Sequence, residues 1–298
     1  MTTPELSVVV PSVNGADDLL GCLAALESQR QDVELEVLVV DRLGEELRAA
    51  VRRDFPAARL IESAVDATIP EMRAQALRAA MGAAVAVIED HVIVPPGWAR
   101  SLLDALAGGE NVVGGSVENA ATETWLDWAA FLCEYSHCIP PLPAGPAEWL
   151  TGNNVVYRRE LLERYREVID EGKWENHLHD RLRADGVRLM CRPEIEVGHK
   201  KHYTFGEYLS QRYLYARSYA GARVTGAPVW KRLAYGAAAF VLPPLLFYRT
   251  VRRIFAKGRH RGWLVRSLPL LAVFVTAWGL GEVIGYWFGA GNSLSKVR

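Results

Sequence analysis

Ala83-Ala84-Val85-Ala86-Val87-Ile88-Glu89-Asp90-His91 runs six apolar residues together and then stops on two acids and a histidine. An unalternating apolar run of this length reads as a strand buried on both faces. Three more strand-like stretches lie upstream. Residues 6–10 lead into Pro11-Ser12-Val13-Asn14, residues 33–40 end at Asp41, and residues 58–62 form the third. Between them, residues 17–29, 45–54 and 70–81 carry apolar positions at helical spacing. Strands that alternate with helices predict an α/β fold with a mostly parallel sheet flanked by helices. Ligands of such sheets gather beyond the carboxyl ends of the strands. Three of these ends are polar here: Ser12 with Asn14, then Asp41, then Glu89 with Asp90 and His91.

The second half is less regular. Residues 125–135 read as an aromatic-rich helix, and residues 139–146 as a Pro-rich loop. Trp149 stands just ahead of Thr151-Gly152-Asn153-Asn154. Asn176 is placed to cap a helix that runs to Ala184 and stops at Gly186. Strands are expected at 187–190 and 195–199.

The formal net charge of −1 conceals two opposite regions. Residues 1–199 hold 18 basic against 33 acidic side chains, whereas residues 200–266 hold 14 basic residues and one acid, Glu207. A basic strip of this density needs an anionic partner. Residues 205–224 interleave Tyr208, Tyr213, Tyr215 and Tyr219 with Arg212, Arg217 and Arg223, as a helix at a lipid interface does. Lipid head groups are therefore the expected partner, and nucleic acid is not. Residues 268–288 form a 21-residue apolar run with one charge, Glu282, long enough to cross a bilayer. Residues 233–248 are marginal and are interrupted by Pro243-Pro244. If both runs spanned, the basic stretch between them would lie across the membrane from the first domain, against the positive-inside rule. A re-entrant or in-plane segment at 233–248 followed by one span at 268–288 is expected. The organisation is thus an α/β domain over residues 1–203, an interfacial segment over 204–230 and membrane-associated helices over 231–298.

Several chemistries are disfavoured. No Gly-x-Gly-x-x-Gly follows the first strand and no phosphate-binding Gly-x-x-x-x-Gly-Lys is present. Cys22, Cys133, Cys138 and Cys191 are scattered and read as reduced thiols, and no secretory signal is expected at the start. A zinc site of His177, His179, His199 and His202 is disfavoured because residues two apart on a helix point to different faces.

These motifs resemble the family 2 glycosyltransferases, which have the GT-A fold, over residues 6–199. Pro11-Ser12-Val13-Asn14 stands where that family has Pro-Thr-x-Asn. Asp41 matches the first of its Asp-Asp pair, and Arg73 the arginine of its Ala-Arg-Asn-x-Gly helix. Glu89-Asp90-His91 stands at the Asp-x-Asp position, and Pro96-Gly97-Trp98 at its Pro-Gly-Trp turn. Aligned backward from Gly186 through Arg181-Leu182, Glu175 falls on the family's catalytic aspartate.

The resemblance implies metal-dependent, inverting transfer of a sugar from a nucleoside-diphosphate sugar. Glu175 would be the base that takes the acceptor's proton. Pro11, Ser12, Asn14, Asp41, Arg73, Glu89 and Asp90 would hold the nucleotide sugar. Asp90, His91 and His199 would hold a divalent ion, Mn²⁺ or Mg²⁺, with the imidazoles favouring Mn²⁺. Trp149, Gly152, Asn153 and Asn154 would form the loop under the sugar and acceptor. With the basic strip, this predicts a membrane enzyme of cell-envelope glycan synthesis. Its catalytic domain would face the cytoplasm, and its acceptor would be a lipid-linked or membrane-proximal glycan. The competing expectation is a non-catalytic nucleotide-sugar-binding membrane protein with a degenerate site.

Overall fold

In the computed structural model, which describes residues 3–297, the chain divides into two compact units. The first comprises the residues up to Ala120 together with Cys138–Lys200; the second comprises Ala121–His137 and the residues from Lys201 onward.

In chain order the elements begin with β1 (Leu6–Ser12), α1 (Ala16–Glu27), β2 (Leu35–Asp41), α2 (Glu45–Asp54), β3 (Ala58–Glu62) and α3 (Ile69–Ala79). Next come β4 (Ala84–Val87), β5 (Val92–Ile93), α4 (Trp98–Ala107), β6 (Val112–Asn119) and α5 (Trp125–Tyr135). They continue with β7 (Gly145–Ala147), β8 (Val155–Arg158), α6 (Arg159–Arg164), α7 (Arg166–Asp170), α8 (Glu175–Ala184) and β9 (Leu189–His199). The chain closes with α9 (Phe205–Arg223), α10 (Val229–Ala238), α11 (Leu242–Lys257) and α12 (Arg261–Phe288).

All the strands lie in the first unit and form one sheet in the order β3-β2-β1-β4-β8-β6-β9-β5, with β7 added to β9. The β3–β2–β1–β4 half is parallel. Every residue of β1, β2 and β4 is buried, which is why their sequences are mostly apolar, and the Ser7 hydroxyl of β1 donates to the buried Glu36 of β2. The other half is mixed, because β8 runs antiparallel to both β4 and β6. Among the described residues four pairings are parallel and four antiparallel, so the sheet is more mixed than the strand–helix alternation suggests.

The register brings the polar strand ends to one rim. Ser12 pairs with Asp41, and Val9 pairs with Val87, two residues before Glu89. The segments expected as two strands at 187–190 and 195–199 form the single strand β9, and the irregularity falls in its pairing with β6, between Gly114 and Ser116. Helix α3 is fixed by a reciprocal capping box between Thr68 and Glu71, with Pro70 in its first turn. Helix α8 starts two residues earlier than an Asn176 cap would allow. Trp174 is its N-cap, and the Asn176 side chain instead accepts from the His177 amide.

The second unit is helical and includes α5, which the sequence reading places in the domain over residues 1–203. Helix α12 packs along α9 by way of Gly281 and Gly285. A methyl group there would lie 2.4 Å from the Tyr213 carbonyl oxygen and 2.5 Å from that of Arg217. Small residues at this spacing let two helix backbones approach closely. Helix α12, 28 residues long, is the one described helix long and apolar enough to cross a membrane, and half of its most apolar window is buried within the fold. The run at 233–248 is no continuous helix. It passes from α10 through the short 3-10 turn Ala239–Val241 into α11, whose first turn contains the prolines.

Candidate active site

The site is built where β1, β4 and β9 end and where α3 and α8 turn toward that rim. Asp90, next after Glu89 beyond β4, is 1% exposed. Its Oδ2 accepts from the backbone amides of Val13 (2.7 Å) and Asn14 (2.9 Å), and its Oδ1 from Asn14 Nδ2 (2.7 Å). The same Oδ1 lies 2.9 Å from His91 Nδ1. An ionised carboxylate offers about four lone-pair directions, and all four are occupied here. Asp90 thus leaves the ligand set expected from the sequence: its oxygens face the loop after β1 and the back of His91.

The donors that converge are those of Glu89, His91 and His199. His91 Nε2 lies 2.9 Å from His199 Nε2 and 3.4 Å from Glu89 Oε2, with the two rings edge to face. Two imidazole nitrogens this close repel unless a cation or a shared proton sits between them. Their chemistry, two nitrogens and a carboxylate, suits a first-row divalent ion such as Mn²⁺ better than Mg²⁺, which prefers oxygen. The residues therefore fit a divalent metal. His199 is placed by β9, where it stands opposite Val92 and Asn119, and the next amide, that of Lys200, donates to the His91 carbonyl (3.0 Å). Glu89 also accepts from Asn153 Nδ2 at 3.3 Å.

Burial opposes charge on both groups, but contact wins. Desolvation acts upward on Glu89, yet the hydrogen bond and charge of His91, with Arg73 and His199, hold its carboxyl well below the usual range. For His91, burial acts downward, while hydrogen bonds to Asp90 and Glu89 and their charges push the imidazole up to about 10.

Beside this cluster stands a second one. Arg73 of α3, 3% exposed, donates to Glu175 at the first position of α8 and lies 3.7 Å from Glu89. Its guanidinium faces the Trp174 ring at 5.8 Å, a contact that no local pattern in the sequence signals. Gly152 makes this gathering possible. A methyl group at that position would lie 2.6 Å from Glu175 Oε2 and 3.1 Å from Arg73 Nη1. The loop of Gly152 and Asn153 therefore closes over both carboxylates. Asn153 is further held by Thr151, whose hydroxyl donates to its Oδ1 at 2.6 Å.

Other expected residues stand elsewhere. Asn154 is fully buried: it donates to the carbonyls of Ser116 (2.9 Å) and Ile195 (2.8 Å) and accepts from Trp98 Nε1 (3.1 Å). It stitches the mixed half of the sheet together and does not face the cleft. Trp149 is 45% exposed at the edge of the loop. Asp41 is fully buried and accepts from the amides of Leu43 (3.0 Å) and Gly44 (3.1 Å) and from Arg48 (3.1 Å), so it anchors the turn into α2 with one lone-pair direction to spare. Ser12, beside it in register, is fully buried, and its hydroxyl has no hydrogen-bond partner among the described residues. Pro11 lies within β1 opposite Val40. Of the disfavoured zinc set, His177 reaches Glu171 (3.1 Å) and His179 is buried against the Tyr157 hydroxyl (2.8 Å).

Among curated proteins, none matches this sequence. Among solved structures, a mannosyltransferase from Pyrobaculum calidifontis, PcManGT, in complex with GDP-Man and Mn²⁺, is similar over 94% of this chain and 87% of its own, with 19% identity and a TM-score of 0.56. GalNAc-T7 with UDP, GalNAc and Mn²⁺ is similar over 67% of this chain and 44% of its own, at 13% identity and a TM-score of 0.52. These likenesses show a shared GT-A fold. The sequence model of glycosyl transferase family 2 matches residues 7–166, more than half of the chain. With the strand ends, the Arg73–Glu175 pair and the imidazole–carboxylate trio assembled on that fold, the chain belongs to glycosyl transferase family 2 and is a glycosyltransferase.

Proposed function

We propose that this enzyme transfers a sugar, with inversion and with the help of a divalent ion, from a nucleoside-diphosphate sugar to a lipid-linked or membrane-proximal acceptor. The observation that carries the reading is the convergence of Glu89, His91, His199, Arg73 and Glu175, which come from distant parts of the sequence. The first three would hold the ion, which when bound neutralises charge on the departing diphosphate. The unpartnered hydroxyl of Ser12 and the spare acceptor of Asp41 suit a nucleoside at the same rim. Arg73, buried between two carboxylates, exchanges one of them for a phosphate oxygen when the donor arrives. That exchange frees Glu175 to accept the proton of the acceptor hydroxyl as the anomeric carbon is attacked from the opposite face, giving inversion. Gly152 and Asn153 close one side, and the exposed ring of Trp149 offers a face for a sugar.

Membrane placement rests on the second unit. Trp230, Leu233, Phe240, Val241, Leu245 and Tyr248 stand exposed along α10, the 3-10 turn after it and α11, in the same stretch as Lys231, Arg249 and Arg252. An apolar surface interleaved with cations suits an anionic interface on the cytoplasmic side, with α12 as the span.

The test supplies the purified full chain, in nanodiscs of anionic lipid, with a panel of nucleotide sugars, with and without Mn²⁺. Release of a nucleoside diphosphate that requires the ion and a membrane acceptor is the expected result. Donor binding without any turnover across acceptors would favour a non-catalytic binding protein, and release of pyrophosphate would point to nucleotidyl transfer.

A further inference from the structure

We propose that Asp90 is a positioning residue that acts through His91, tying the loop after β1 to the orientation of one metal-ligating imidazole. The inference deepens the reading that Glu89, His91 and His199 hold a divalent ion, and it concerns a carboxylate outside that trio. The four contacts of Asp90 fall into two pairs. Two backbone amides, of Val13 and Asn14, fix Oδ2; the Asn14 side chain and His91 Nδ1 meet at Oδ1. An ionised carboxylate is acceptor-only, so the contact to His91 requires a hydrogen on Nδ1. That makes Nε2 the nitrogen whose hydrogen an ion would displace, and the ring orientation aims it at His199 Nε2, 2.9 Å away. Carboxylates behind metal-bound imidazoles set the tautomer and the ring plane in this way. Here the same carboxylate also shapes the backbone that follows β1.

The chemistry explains why an amide would not serve at this position. With asparagine, the side-chain nitrogen would face His91 Nδ1 as a donor and move the ring hydrogen to Nε2, where it occupies the lone pair that the ion needs. Asn14 Nδ2, 3.2 Å from His91 Nδ1, already stands as a donor on that side, so the carboxylate decides which tautomer prevails.

The experiment is a double-mutant cycle read as Mn²⁺ affinity, by electron paramagnetic resonance titration of the full-length protein without donor. Asp90→Asn is expected to weaken Mn²⁺ about 10- to 100-fold. In a His91→Ala background the same change should cost no more than about twofold, because the group through which Asp90 acts is gone. Losses that add in the double variant would mean that Asp90 binds the ion itself or acts only through the loop, and would overturn the proposal. So would an Asp90→Asn protein that binds Mn²⁺ as wild type does. Pulsed resonance on the wild-type Mn²⁺ complex needs no Asp90 variant: two imidazole nitrogen couplings are expected, one of them lost in His91→Ala, and a spectrum with no coupling assignable to His91 overturns the inference. A wild-type protein that binds no Mn²⁺ at all would defeat the metal reading itself; one that binds it with Asp90 irrelevant would defeat only this inference.

Discussion

In the first unit Asp41, Arg73, Asp90, His91 and His199 are all buried to less than 10% exposure and are held by charged or polar partners. In the second unit Trp230, Phe240, Val241 and Phe288 are each at least 60% exposed, although they are among the most apolar side chains in the chain. Burying ionisable groups costs several kcal/mol each unless partners or a ligand compensate. Exposing large apolar groups costs roughly 25 cal/mol per Å² when the solvent is water. The two regions thus depart from the soluble-protein pattern in opposite directions, and each departure names its missing companion. The cleft is arranged for a charged ligand, and the helices for a lipid environment.

The largest expected effect tests the cleft. Glu175→Gln keeps the shape and removes the base, so turnover should fall about 10²- to 10⁴-fold while donor affinity stays within a few-fold of wild type. Equal loss of both would show that Glu175 binds the donor and performs no proton transfer. Gly152→Ala attacks the same cleft by volume alone. Its added methyl would press on Glu175 Oε2, and a misplacement of about 1 Å costs about 10² in kcat. An unchanged kcat would show that the loop does not pack over the base during turnover.

On the other side of the comparison, Arg249 and Arg252 are exposed in α11. Replacing both with glutamine should weaken binding of the protein to anionic vesicles about thirtyfold, at about 1 kcal/mol for each charge. In sedimentation with neutral vesicles the change should make no difference. Equal loss on both kinds of vesicle would point to misfolding of the helices rather than to charge.

The smallest effect concerns stability. Burial holds His179 near pKa 4, against 6.5 for an unperturbed histidine. Between these values the unfolded chain takes up a proton that the folded chain refuses. The contribution is therefore complete above pH 6.5 and falls, by about 1.4 kcal/mol per pH unit, as pH drops toward 4. His179→Gln should flatten that part of the urea-midpoint profile. A parallel profile would place the titration elsewhere.

The legible part of this molecule was the part governed by local pattern. Buried strands write themselves as mostly apolar stretches, and their polar ends announced Ser12, Asp41 and Glu89 through His91. The sequence also brought out Arg73 and Glu175, which lie 102 residues apart and meet in the structure. What pattern does not carry is direction. Consecutive residues after a strand point different ways, so the sequence reading gives the ion to Asp90 and not to Glu89, and only the amides of Val13 and Asn14 show where Asp90 faces. Asn154 was indistinguishable from Asn153 for the same reason, yet one bridges carbonyls in the sheet and the other touches Glu89. The antiparallel insertion of β8 and the membership of α5 in the second unit are set by long-range packing that hydropathy does not encode.

The most direct test of the cleft is calorimetric binding of a nucleoside diphosphate to the full-length protein, with and without Mn²⁺, in wild type and in His199→Ala. The account predicts affinity that depends on Mn²⁺ and falls at least tenfold in the variant, in line with the loss of a ligand or its support. Nucleotide affinity that is independent of the ion and untouched by His199→Ala would contradict it.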